Sequence, residues 1–179
     1  MVPRRKSLWA VLAVSTLLTW GCQSNPMKPI TTKDYVDLDR FMGDWYVIAH
    51  IPTFLEKQAF NALESYALDD SGHVRTTFAF NEGALDGARK VYHPKGFVTS
   101  DPSNAIWKMQ FLWPFKADYR VVYVDEAYEF TIVGREARDY VWIMARNAQV
   151  SEQVYDGLVA RVESEGYSIA DLRKVPHTL

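Results

Sequence analysis

The sequence predicts an all-β fold of eight antiparallel strands, closed as a barrel or paired as a sandwich, followed by one C-terminal α-helix. Three observations carry this reading. From Gly43 to Asn147 the 179-residue chain falls into short β-type runs broken by turn residues roughly every 8–14 positions, which suits sandwiches and barrels rather than alternating strands and helices. Within the runs, apolar side chains recur with period two, giving each strand one apolar face. Beyond Asn147 the period changes to that of a helix.

The strands are expected near 44–51, 60–68, 73–80, 88–99, 105–112, 118–125, 127–134 and 139–146. Turn chemistry separates them at Asp69-Asp70-Ser71-Gly72, Asn81-Glu82-Gly83, Asp101-Pro102-Ser103-Asn104 and Gly134. Val74, Thr76, Phe78 and Phe80 share a face of the third run. Trp107, Met109, Phe111 and Trp113 share one of the fifth, with Lys108 and Gln110 opposite; Tyr140, Trp142, Met144 and Arg146 share a parity in the eighth. One apolar face on each of eight antiparallel strands satisfies a closed barrel and a two-sheet sandwich alike. For the helix, Ser151 is a natural N-cap, Glu152 complements the dipole, Val154, Leu158 and Val162 form one stripe, and Gly166 ends it. That stripe is expected to pack against the outside of the strands.

The N-terminus reads as an address. Arg4-Arg5-Lys6 precedes an apolar run from Leu8 to Trp20, then Gly21-Cys22, the order of a secretory signal. The run holds 13 residues, short of the about 20 that span a bilayer as a helix. Gly21-Cys22 resembles the lipobox of bacterial lipoproteins, which implies that residues 1–21 are removed and that Cys22 is the site of lipid attachment. Gln23 rather than Asp after the cysteine implies the outer membrane, facing the periplasm. Residues 22–36, with Pro26 and Pro29, read as a lipidated N-terminus and flexible tether, and 37–179 as the folded domain. Cys22 is the sole cysteine, so no intramolecular disulfide is expected.

Composition excludes several functions. Without residues 1–21, 17 basic side chains stand against 22 acidic ones, which leaves no basic footprint for nucleic acid. His50, His73, His93 and His177 are scattered without zinc spacing, and neither a nucleophile elbow nor a phosphate-binding glycine loop appears. No enzyme, metal or cofactor is expected.

Gly43-Asp44-Trp45, preceded by Asp37 to Met42, resembles the first motif of the lipocalins. Asp139 to Arg146 resembles the third, whose arginine crosses the tryptophan ring to close the barrel base. The second motif region, Tyr119 to Asp125, is a looser match. The resemblance spans about 37–175 and leans toward the bacterial, apolipoprotein D-like branch. It implies an eight-stranded up-and-down barrel with the helix outside, in which Gly43, Trp45 and Arg146 are structural. It also implies an apolar cavity binding a fatty acid or lysophospholipid for membrane maintenance, without catalysis, its walls drawn from Tyr66, Phe78, Trp107, Phe111 and Trp142. Basic loop residues such as Arg89, Lys90 or Lys116 could meet an anionic head group. His50 falls on the parity opposite Trp45, so an inward haem ligand is not expected. The competing reading is an envelope interaction module or holdase with a filled barrel, and a homodimer is compatible with both.

Overall fold

The computed structural model describes residues 28–178, so Cys22 and the signal segment lie outside the described residues. The strands are β1 (Gly43–Ile51), β2 (Ala59–Leu68), β3 (Val74–Glu82), β4 (Arg89–Tyr92), β5 (Lys95–Val98), β6 (Ile106–Leu112), β7 (Phe115–Val124), β8 (Phe130–Gly134) and β9 (Val141–Ala145). Each pairs antiparallel with the next around the wall, except that β4 and β5 share one position, both pairing β3. Pairing of β1 with β9 closes the barrel and abolishes the free edges, so the sandwich alternative falls away. The run expected at 88–99 divides at His93-Pro94, where proline has no N–H for the ladder. The run expected from 127 starts only at Phe130. Tyr128 has φ 60 in the preceding turn, and the Asp125 carboxylate accepts the N–H groups of Glu129 and Phe130.

Two helices flank the wall. The single turn α1 (Leu38–Phe41) is capped by Asp37, whose side chain accepts the Arg40 N–H. It drives Phe41 into the barrel's lower end. The other, α2 (Glu152–Ser164), is capped by Ser151 and ends at Gly166, φ +90. Its buried Leu158 and Val162 join Ile48, Val122, Ile132 and Ile143 in a core between helix and wall. A second core fills the barrel around Phe41, Trp45, Phe78, Trp107 and Met144. A last strand, β10 (Arg173–Lys174), lies against β1.

The expected tether is in fact docked from Ile30 onward. Ile30 is buried beside Gly134, Lys33 donates its N–H to the Val121 carbonyl at 2.9 Å, and Val36 donates to Ser103 at 2.7 Å. Two apolar side chains in a polar-looking stretch, Ile30 and Val36, each find a core to enter.

Strand direction sorts the loops. The 52–58, 83–88, 113–114 and 135–140 connections gather at one end, the mouth; α1 and the starts of β1, β3, β6 and β8 occupy the base.

Candidate functional site

The base is built first. Gly43 has φ +92, and a Cβ there would lie 3.3 Å from Arg146 Nη1, so glycine supplies both the backbone conformation and the room. The Arg146 guanidinium lies 3.7 Å from the Trp45 ring centroid and donates to the carbonyls of Asp44, Arg40, Met42 and Tyr128 at 2.7–3.2 Å. Trp45 Nε1 donates to the Phe41 carbonyl at 2.8 Å, tying α1 to β1. Stacking and fork-shaped donation together turn three loose segments into a plug.

Above the plug lies a layer of aromatics. Phe41 packs 5.8 Å from Tyr66 and 5.5 Å from Trp107, and Trp107 stacks on Tyr119 at 5.4 Å. The Tyr66 hydroxyl meets the Glu64 carboxyl and the Tyr119 hydroxyl, so the floor of the barrel is polar at its centre. Over this floor opens a cavity of about 350 Å³, lined by Phe78, Met109, Phe111, Tyr119, Tyr140 and Trp142 and rimmed by Phe54, Leu112 and Phe115.

The five expected wall residues therefore divide. Phe78, Trp142 and Phe111 line the cavity, Phe111 at the rim with 46% exposure. Tyr66 and Trp107 do not: they are built into the floor itself, packed against Phe41. Alternation gives the side of the wall but not the height along it. The loop cations are engaged elsewhere. Lys90 pairs with Glu82 at 3.2 Å, Arg89 donates to the Asn61 carbonyl, and Lys116 sits 3.4 Å over the Phe97 ring; none lines the cavity. Among the described residues, the cation that does is Arg135, paired with Asp139 at 3.1 Å.

The barrel interior also holds titratable groups that strand alternation does not fully announce. A register shift between Val47 and Ala49 puts Ile48 in a bulge, so residues beyond it change sides. His50 consequently pairs with inward Trp142 and is buried in the barrel, contrary to the parity count from Trp45. Its Nδ1 is 3.9 Å from the Glu56 carboxyl and has no hydrogen-bond partner among the described residues. Glu56 reaches in from the 52–58 loop and accepts hydrogen bonds from Trp142 Nε1 and the Thr53 N–H, both at 3.1 Å. Glu64 points inward from β2 between Trp45 and Phe78. Its place was visible in the alternation of Ala62, Glu64 and Tyr66; nothing in a loop sequence marks Glu56.

Burial sets the protonation of these groups. Loss of hydration pushes the Glu64 carboxyl up to about 8, with Glu56 adding repulsion, and raises Glu56 as well. The same cause holds His50 down at about 4, aided by Arg173, and lifts the Tyr119 phenol. Near neutral pH Glu64 is thus largely a carboxylic acid and His50 a neutral imidazole, set among phenols, while burial shifts Glu56 toward its acid form. Such a floor offers hydrogen bonds but no counter-charge to an anion.

A family description, the lipocalin-like domain, matches residues 36–177. The chain is 32% identical over 152 residues to Temperature-induced lipocalin-1 of Arabidopsis thaliana, covering 80% of each. It is 29% identical to the outer membrane lipoprotein Blc of Citrobacter freundii, over 88% of this chain and 89% of that one. Among solved structures, insecticyanin of the tobacco hornworm Manduca sexta superposes with TM-score 0.67 at 13% identity, covering 84% of this chain and 86% of the other. The cockroach allergen Per a 4 does so with TM-score 0.63 at 16% identity, over 83% and 92%. At those identities the two structures speak for the fold alone.

Proposed function

The chain belongs to the lipocalin-like family, and on that premise we propose that it is an envelope carrier of a single-chain amphiphile, a fatty acid or lysophospholipid, which it binds without chemistry for membrane maintenance. The observation that carries this reading is the open, aromatic-walled cavity of about 350 Å³. That volume is at the small end of ligand pockets, which run roughly 300–1,000 Å³, and suits one chain rather than two. Each methylene that leaves water contributes about 0.8 kcal/mol, offset in part by ordering costs. The ligand lies tail inward and head outward. Among the described residues an anionic head has no cation deeper in the cavity than Arg135 at the mouth, and the apolar walls and uncharged Glu64 of the interior offer it no counter-charge.

Residues 1–21 are read as a signal peptide and Cys22 as the acylated mature N-terminus, leading to a domain that starts near Val36. Relatives named outer membrane lipoproteins support an envelope location, and we place the protein on the outer membrane facing the periplasm.

The test uses the mature chain with Cys22→Ala, delipidated and titrated with a lysophospholipid and with a free fatty acid while Trp fluorescence is followed. Saturable one-to-one binding is expected. It should be lost in Ala117→Trp, which plugs the exposed upper cavity without touching the packed core. A folded protein with no saturable response to either lipid overturns the carrier reading and favours an interaction module.

A further inference from the structure

Four large apolar side chains crowd the rim of the cavity and face water: Phe54 at 76% exposure, Trp113 at 81%, and Leu112 and Phe115 close behind. They come from two loops on the same opening, since Phe54, Leu112 and Phe115 all line the one cavity. The β6–β7 hairpin carries three of them beyond the body of the sheet. Its β5 neighbour stops pairing at Lys95–Gln110, while β6 and β7 run on to Leu112–Phe115. Exposed aromatics clustered at a projecting tip mark an interaction site rather than ordinary surface.

The path of the chain decides what that site meets. The first described residues lie at this same end: Arg138 Nη2, in the β8–β9 turn at the mouth, donates to the Lys28 carbonyl at 2.8 Å, and Ile30 N–H donates to Glu136 at 3.3 Å. Cys22 precedes Lys28 by six residues, a reach of about 20 Å at full extension. An acyl anchor there holds the mouth, not the base, within about 20 Å of the bilayer.

We propose that the protein docks mouth-down on the bilayer that carries its anchor, with Trp113, Leu112, Phe115 and Phe54 seated at the lipid head-group level around the cavity opening. Tryptophan favours that depth, where the indole is half in hydrocarbon and its N–H stays wet, and the phenylalanine and leucine side chains beside it enter the acyl boundary. An acyl chain then passes between leaflet and cavity without crossing water. The inference rests on the proposed acylation of Cys22 for its geometry but not on the identity of the ligand.

The test reconstitutes the mature lipoprotein in phosphatidylethanolamine–phosphatidylglycerol vesicles whose acyl chains are brominated near the head group. Trp emission should be quenched and blue-shifted, and Trp113→Phe, which leaves the cavity lining intact, should abolish the quenched component. With Cys22→Ala, residual vesicle binding should fall about tenfold or more on adding Trp113→Asp, because a charge replaces the ring at the interface. Solution binding of fatty acid or lysophospholipid by Trp113→Phe should match wild type, so failure of docking and failure of the carrier reading are read separately. Trp113 emission unaffected by the brominated lipids overturns the proposal. So does a blue shift already present without lipid that vanishes on dilution, which assigns the patch to a second copy of the chain.

Discussion

Replacing Glu64 by Gln tests whether an acid buried in the barrel is held protonated by its surroundings. In the unfolded chain the carboxyl titrates near 4.5; in the fold burial moves it to about 8. A raised carboxyl pKa opposes folding: the cost is absent below 4.5, grows as pH rises, and is complete above 8. At about 1.4 kcal/mol per pH unit, the cost is about 3 kcal/mol at pH 6.5 and about 5 kcal/mol at pH 9. Gln keeps the shape and carries no charge, so its variant escapes this slope. Between pH 6.5 and 9 the wild type should lose about 2 kcal/mol more stability than Glu64→Gln, or roughly 4–8 °C in Tm. His50 is present in both proteins, so its titration cancels in the comparison, and comparing slopes removes any constant offset from the lost acid O–H. Urea unfolding at half-unit pH steps provides the measurement. Parallel profiles within about 0.5 kcal/mol would show that Glu64 is hydrated or ionised in the fold, and the description of the floor would be wrong.

Two further outcomes follow from the same geometry. His50 has the opposite sign: its folded value of about 4 lies below the unfolded 6.5, so its contribution is present above pH 6.5 and lost as pH falls toward 4. Wild type should drop about 2 kcal/mol more than His50→Gln between pH 6.5 and 4.5 in the same unfolding assay, and equal acid sensitivity would return His50 to solvent. At the base, Arg146→Met removes the stack on Trp45 and the bonds to the Arg40, Met42, Asp44 and Tyr128 carbonyls. Part exposure tempers each term, and the sum is about 3 kcal/mol, with Arg146→Lys recovering charge but not the fork. A loss under about 1 kcal/mol on denaturation would refute the plug as a unit.

The strand runs and the C-terminal helix were legible because they depend on local periodicities, whereas closure as an up-and-down barrel was implied by the lipocalin resemblance. Period two fixes which face of a strand is apolar, and Ser151 and Gly166 bound the helix by their own backbone chemistry. The positions of Phe78 and Trp142 in the wall follow from the same alternation. Other features depend on what lies across the barrel, which a single strand does not encode. One bulged residue, Ile48, reverses every parity beyond it and brings His50 inside. Phe41, placed by a one-turn helix, fills the lower barrel and packs Tyr66 and Trp107 into the floor rather than the cavity wall. Glu56 enters from a loop whose path is fixed by the Trp142 indole 86 residues away. Ile30 and Val36 dock a segment whose polar composition reads as loose, because cores assembled from distant strands receive them. Sequence thus determined the wall, through short-range alternation; tertiary structure decided the cavity's depth, its protonation and the end of the barrel at which Lys28 lies, through contacts between residues far apart in the chain.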